Sequence, residues 1–339
     1  MSRALAAVEH ARGAILRAGV RMPLLGPALR KRERRVVLRA SVAIAIAFAG
    51  AVLSPALLLA FSPILLGVPH VAASLRYLVV RQRLPRAFLV SVVSCAAALM
   101  TLRILEQYGH APRSFARAEV AVASAWVFGA AAWAARQARA PRRFWVAAPP
   151  LALGALLLLA HPVFGRLLFV HVHNLGAVVV WALLLQRGRA LLPLALLAGG
   201  LALLLGGFIE ANLGATAGVD VEAVGRWLAP GAAASVAVPL VLAHVFTDSV
   251  HYAFWLGVIP EETLKREGTL TFRMTWRSLR ADFGRAIWPV VGLVLLVPVL
   301  AVFGLARMRD AYYAIAGFHG YVEGVMLAAL VVRGRRVTG

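Results

Sequence analysis

Apolar runs alternate with short, arginine-rich polar segments along almost the whole chain. A helix needs about 20 predominantly apolar residues to cross the hydrocarbon core of a bilayer. On that measure the pattern predicts ten spanning helices, at 36–60, 62–80, 87–105, 117–135, 144–160, 166–186, 190–209, 232–258, 286–306 and 311–332. The expected fold class is all-α, a polytopic transmembrane helix bundle of about ten spans. A basic interfacial segment at 1–35 precedes the bundle at 36–332, and a basic tail at 333–339 follows it. Two stretches read as amphipathic helices lying in the membrane plane. In the first, Leu5, Val8, Ile15 and Leu16 share one face. The second lies in the polar connection 259–285, where Phe272, Trp276, Leu279 and Phe283 recur at helical spacing with Arg273, Arg277 and Arg280 between them. Prolines within spans, such as Pro55, Pro149, Pro150 and Pro239, are tolerable in lipid and predict kinks.

Composition agrees with the pattern: 61% of the 339 residues are hydrophobic, against roughly 45–50% in soluble domains. The net charge is +22. In a soluble chain that would point to nucleic acid, but no basic segment here carries a nucleic-acid fold signature. The ten-span alternation instead sorts the 36 Lys and Arg by side. Twenty-eight fall on the N-terminal side of the bundle, six on the other, and Arg76 and Arg103 fall within spans. The positive-inside rule then places both termini in the cytoplasm and the protein in the cytoplasmic (inner) membrane. A single cysteine, Cys95, allows neither an intrachain disulfide nor a thiolate metal site.

The chemistry lies in the polar residues inside the spans. Ionisable side chains at membrane depth are costly and mark function by default. The span 232–258 carries His244, Asp248 and His251 at i, i+4 and i+7, on one helix face. His70, His171, His173 and His319 stand at similar depth in three other spans. His171 and His173 are two residues apart and point about 200° from each other on a helix, so one of them is expected to reach a shared site. Asn174 shares a face with His171 and is positioned to orient it. Glu323 lies one turn beyond His319. Unpartnered buried histidines would each destabilise the fold, and a shared metal ion removes that cost.

The expected ligands are His70, His171 or His173, His244 and His319. Asp248 and Glu323 are expected to bind the ion or to orient its ligands, and His251 to bind it or to pair with Asp248. Imidazole and carboxylate without sulfur suit iron, copper or zinc. An open site at membrane depth suits non-haem iron in an oxidoreductase that acts with dioxygen on a hydrophobic small molecule, with a possible redox partner. Two other classes stay open. The same groups could form the relay of a proton- or ion-coupled transporter, with Gly67-Val68-Pro69 as a helix break. Two facing histidines could instead hold a b-type haem for electron transfer. Tyr252 and Trp255, beside His251, are candidates to line a substrate slot.

The turn Gly67-Val68-Pro69-His70 and the paired intramembrane histidines His244 and His251 resemble motifs of the Brp/Blh family of membrane β-carotene 15,15′-dioxygenases. The resemblance implies a multi-span fold, iron held by histidines from several helices, and an isoprenoid or lipid substrate. It carries His70, and from the second motif His244 and His251, over as iron ligands.

Overall fold

The computed structural model describes residues 3–23, 26–108, 112–185, 190–209, 211, 213–214, 219–264 and 271–334. Arg187, Arg189, Lys265, Arg266, Arg335 and Arg336, which enter the charge asymmetry, lie outside these residues, as does most of the tail 333–339. Among the described residues the chain is helical, with no β-strand.

The helices follow one another in short steps. α1 (Arg3–Arg21) and α2 (Gly26–Arg30) lead into α3 (Arg32–Leu53), α4 (Pro55–Leu75), α5 (Arg86–Tyr108), α6 (Pro112–Gln137) and α7 (Pro141–Ala160). Then come α8 (Pro162–His173), α9 (Gly176–Val179), α10 (Leu191–Leu205), α11 (Val221–Leu228) and α12 (Ala234–Ala253). The last five are α13 (Ile259–Glu262), α14 (Phe272–Phe283), α15 (Ile287–Ala301), α16 (Leu305–Ala316) and α17 (Phe318–Arg333). Three helices widen into π-helical turns, at Arg76–Val80 after α4, Val180–Leu185 after α9 and Phe254–Val258 after α12.

Eight helical stretches are long and apolar enough to cross a membrane, or nine if the bent pair α8 and α9 is one span. That is fewer than the ten expected. Leu191–Leu205 is apolar but short, and the segment 166–186 is bent by 48° between Pro162–His173 and Gly176–Ala182. The boundary between the first two spans also moves, to Ser54, because Pro55 opens α4 at a position where its missing N–H is harmless. Pro63 and Pro69 sit inside α4 without breaking it, so Gly67-Val68-Pro69 is continuous helix, contrary to expectation.

The outer surface explains the excess of apolar residues. Ile46, Val93, Trp145, Leu156 and Leu295 are each more than 60% exposed, a belt that water would not tolerate on a monomer. These helices suggest a membrane protein, with the belt available to lipid. On α3 the two faces separate cleanly: Val36, Ala40, Ile44, Ala47 and Ala51 enter the core, while Val42 and Ile46 face outward.

The centre of the bundle is built from α4, α12 and α17. Of the stretches that contain α12 and α17, 56% and 61% of the most apolar window is buried, against none for α7. The end of the bundle rich in arginine is tied by ion pairs. Glu261 accepts from Arg35 at 2.7 Å and from Arg39 at 3.4 Å. Asp282 on α14 accepts from Arg76 at 2.6 Å and from Arg81 at 3.0 Å. α14 is thereby pinned to the end of α4, and Gly284 (φ 57°) turns the chain from it into α15. α1 meets the same helix, with Glu9 accepting from the backbone N–H of Phe272. The two amphipathic segments expected at 1–35 and 259–285 therefore form helices that touch. At the opposite end, Glu119 joins Arg103 at 2.8 Å, Arg166 at 3.4 Å and the hydroxyl of Tyr321 at 2.5 Å.

Candidate metal centre

Three imidazoles meet in the buried middle of the bundle. His70 comes from α4, His251 from the end of α12 and His319 from the first turn of α17. One ring nitrogen from each lies within 4.8 Å of the other two. His70 and His319 are closest, Nε2 to Nε2 at 3.0 Å. Their exposures are 1%, 0% and 8%, so solvent has little access to any of them. His173 completes the wall, with its ring centre 5.5 Å from those of both His251 and His319.

The other nitrogen of each ring decides the chemistry. His70 Nδ1 is 3.1 Å from the Leu66 carbonyl, and His319 Nδ1 is 2.6 Å from that of Ala316. His251 Nδ1 lies 3.2 Å from the Asn174 carbonyl, and His173 Nδ1 lies 3.0 Å from that of Val170. A carbonyl only accepts, so each Nδ1 carries the proton and each neutral ring leaves an Nε2 lone pair free. Nε2 of His70 and Nε2 of His319 then face each other at 3.0 Å with no hydrogen between them. Two opposed lone pairs repel unless a cation lies between. Two imidazole nitrogens bound to one first-row metal ion at about 2.1 Å stand about 3 Å apart when the N–metal–N angle is near 90°, so the spacing fits ligands set at a right angle.

The helix breaks supply the carbonyls. The last four C=O groups of an α-helix have no partner within it. Val170 lies in the last turn of α8, Asn174 caps it, and Ala316 ends α16. Three of the four rings are thus fixed by carbonyls that the bend at Asn174-Leu175 and the interruption at Gly317 leave available. Such hydrogen bonds on the far side of the ring hold metal ligands in one orientation and raise their basicity.

Other buried polar atoms point to a missing partner. Nε2 of His251 and both carboxylate oxygens of Glu323 are buried without a hydrogen bond. Glu323 Oε1 lies 3.6 Å from His251 Nε2, and Ser74 and Trp255 face the same carboxylate. A carboxylate enclosed beside three imidazole lone pairs is a donor set for a cation. It would offset the ion's charge, and the residues present fit a metal.

Several expectations are corrected. His244 does not join the three-histidine group. Its ring centre is 5.5 Å from that of His171, and His173 lies between these two and the centre. Of His171 and His173, the second reaches the centre. Asn174 orients not His171 but its neighbours: its side-chain nitrogen lies 3.3 Å from His244 Nδ1, and its carbonyl accepts from His251. His251 belongs to the centre, and the carboxylate near it is that of Glu323. Asp248 lies instead among the tyrosines Tyr252, Tyr312 and Tyr313. Tyr252 packs on the His70 ring with centroids 4.3 Å apart.

Sequence reasoning missed the backbone carbonyls, which carry no sequence signal of their own. It also missed Ser74, whose sign was its place one turn beyond His70. Comparison of the chain with protein-family models, with curated proteins and with solved structures gives no match.

Proposed function

We propose that the protein is a membrane-embedded, histidine-ligated metal enzyme, an iron-dependent oxygenase acting on a lipophilic substrate such as an isoprenoid or lipid. The observation that carries this reading is the convergence of the His70, His251 and His319 lone pairs in an enclosed interior, with each opposite nitrogen tied to a carbonyl. An imidazole and carboxylate set without thiolate suits iron, copper or zinc, and we assign iron because dioxygen chemistry on a lipophilic substrate calls for a redox metal. When bound, iron would supply dioxygen activation at an open coordination position.

The chain's own residues do the rest. His70, His251 and His319 bind through Nε2, and His173 stands ready beside them. Glu323 places negative charge 3.6 Å from His251 Nε2. Tyr252 against His70 and the buried Trp255 near His251 shut water out. The exposed apolar belt gives a hydrophobic substrate its approach from lipid. The basic end faces the cytoplasm of the inner membrane in this reading, and the likeness of Gly67–His70 to the Brp/Blh motif supports an isoprenoid substrate. His70 and His319 approach too closely to admit a porphyrin between them, which disfavours the haem alternative.

A second reading has its own observation. The breaks at Asn174-Leu175 and Gly317 lie beside the centre, as helix breaks do at the ion sites of coupled transporters. Metal analysis of protein purified from membranes separates the two. About one iron per chain with no haem absorption supports the oxygenase. Protein that stays metal-free after iron loading, and carries protons in liposomes, overturns it.

A further inference from the structure

A second site lies far from the histidines, at the arginine-rich end of α3. The face of α3 turned away from the core carries, in order, Lys31, Arg34, Val37, Leu38 and Ser41, a spacing that keeps all five on one side. With Leu192 at the start of α10 they line a groove of about 660 Å³. Lys31 and Arg34 are exposed at its mouth and have no ion-pair partner among the described residues. Ser41 Oγ, at the other end, is buried without a hydrogen-bond partner. It lies two turns beyond Arg34, about 10 Å along the helix.

The groove therefore presents two cations, then an apolar wall, then a lone hydroxyl. A phospholipid matches the cations and the apolar wall, with an anionic phosphate at the surface and acyl methylenes below it. Basic pockets between spanning helices on the cytoplasmic side bind lipid headgroups in this way. Glu33 also borders the groove, so the site suits a single negative charge near the two cations better than several. We propose that this groove binds one anionic phospholipid. Lys31 and Arg34 hold the phosphate, and Val37, Leu38 and Leu192 contact the glycerol backbone and the upper acyl chain below it, with Ser41 at the deep end of the groove. The inference rests on the bilayer part of the proposed function and is independent of the metal.

The test uses the full-length chain in detergent, stripped of lipid and titrated with phosphatidylglycerol or phosphatidylcholine. Native mass spectrometry reads the number of lipids bound. One phosphatidylglycerol per chain should be retained under conditions that remove phosphatidylcholine. Each surface cation contributes roughly a fivefold factor, so the double variant Lys31→Gln, Arg34→Gln should weaken binding by about tenfold or more. Ser41→Leu fills the groove without changing charge and should weaken it too. Arg12→Gln, on α1 outside the groove, should leave binding unchanged. Equal retention of the two lipids, or wild-type binding by both groove variants with unaltered circular dichroism, overturns the proposal. Failure of the bilayer reading looks different: the chain would then remain in the supernatant after membranes are pelleted.

Discussion

Two groups of histidines lie side by side in this bundle, and they are not equivalent. Around His70, His251 and His319 every Nδ1 is held by a backbone carbonyl, so the Nε2 atoms all present lone pairs to one place. In the second group, His244 Nδ1 meets the Asn174 side-chain amide and His171 Nε2 is buried with no partner. His244 Nδ1 thus faces a side-chain amide and not a backbone carbonyl. The residue type is the same in both groups. What differs is the partner of Nδ1, a backbone carbonyl in the first group, from a helix end for His251 and His319 and from within α4 for His70, and a side-chain amide for His244 in the second. For His251 and His319 the helix breaks expose carbonyl acceptors that regular helix consumes, whereas His70 shares a carbonyl of its own helix.

The comparison breaks most sharply on metal content. His251→Ala or His70→Ala should reduce bound iron from about one per chain to near zero, measured by elemental analysis of purified protein. His244→Ala should retain it. Loss of metal in His244→Ala alongside retention in His251→Ala would falsify the division. Glu323→Gln keeps the shape and removes the charge beside His251 Nε2. It should still bind metal, with affinity lower by about 10–100-fold, the usual range for partners around the ligands. Competition against a chelator of known strength measures this, and an unchanged constant would remove Glu323 from the centre.

A third effect concerns how α4 approaches α16. A Cβ built on Gly67 would lie 2.7 Å from the Tyr312 hydroxyl, in the same turn of helix that delivers His70. Gly67→Ala must push the Tyr312 ring aside or part the two helices. Overpacking of this kind destabilises by about 1–3 kcal/mol, and the thermal midpoint should fall accordingly. Because His70 moves with α4, metal affinity should fall as well. A variant with wild-type midpoint and affinity would mean that Tyr312 swings away freely.

Much of the architecture was legible from the alternation of apolar and arginine-rich segments, since a spanning helix must be apolar over its length and lipid leaves no other solution. The number of spans was less so, because hydropathy does not register a 48° bend at Asn174-Leu175 or a helix that stops at Leu205. At the centre, the spacing of His319 and Glu323 on one face was readable, as was the need for only one of His171 and His173. The choice between His244 and His251 was not. Both lie on one face of α12, seven residues apart, and only the packing of α12 against α4 decides that His251 meets His70.

The smallest effect is the most discriminating. Asn174 serves both groups at once, through different atoms. Its backbone carbonyl accepts from His251, whereas its side-chain nitrogen lies 3.3 Å from His244 Nδ1 and 3.4 Å from Thr247 Oγ1. Asn174→Ala deletes the second set and keeps the first. If the metal centre depends on carbonyls, the variant should bind iron as the parent does. It should lose only the modest stability of the side-chain hydrogen bonds, about 1 kcal/mol. His171→Phe should do no more than this. Loss of iron in Asn174→Ala, with the bundle intact by circular dichroism, would make the two groups a single cooperative site and return His244 to the ligand set.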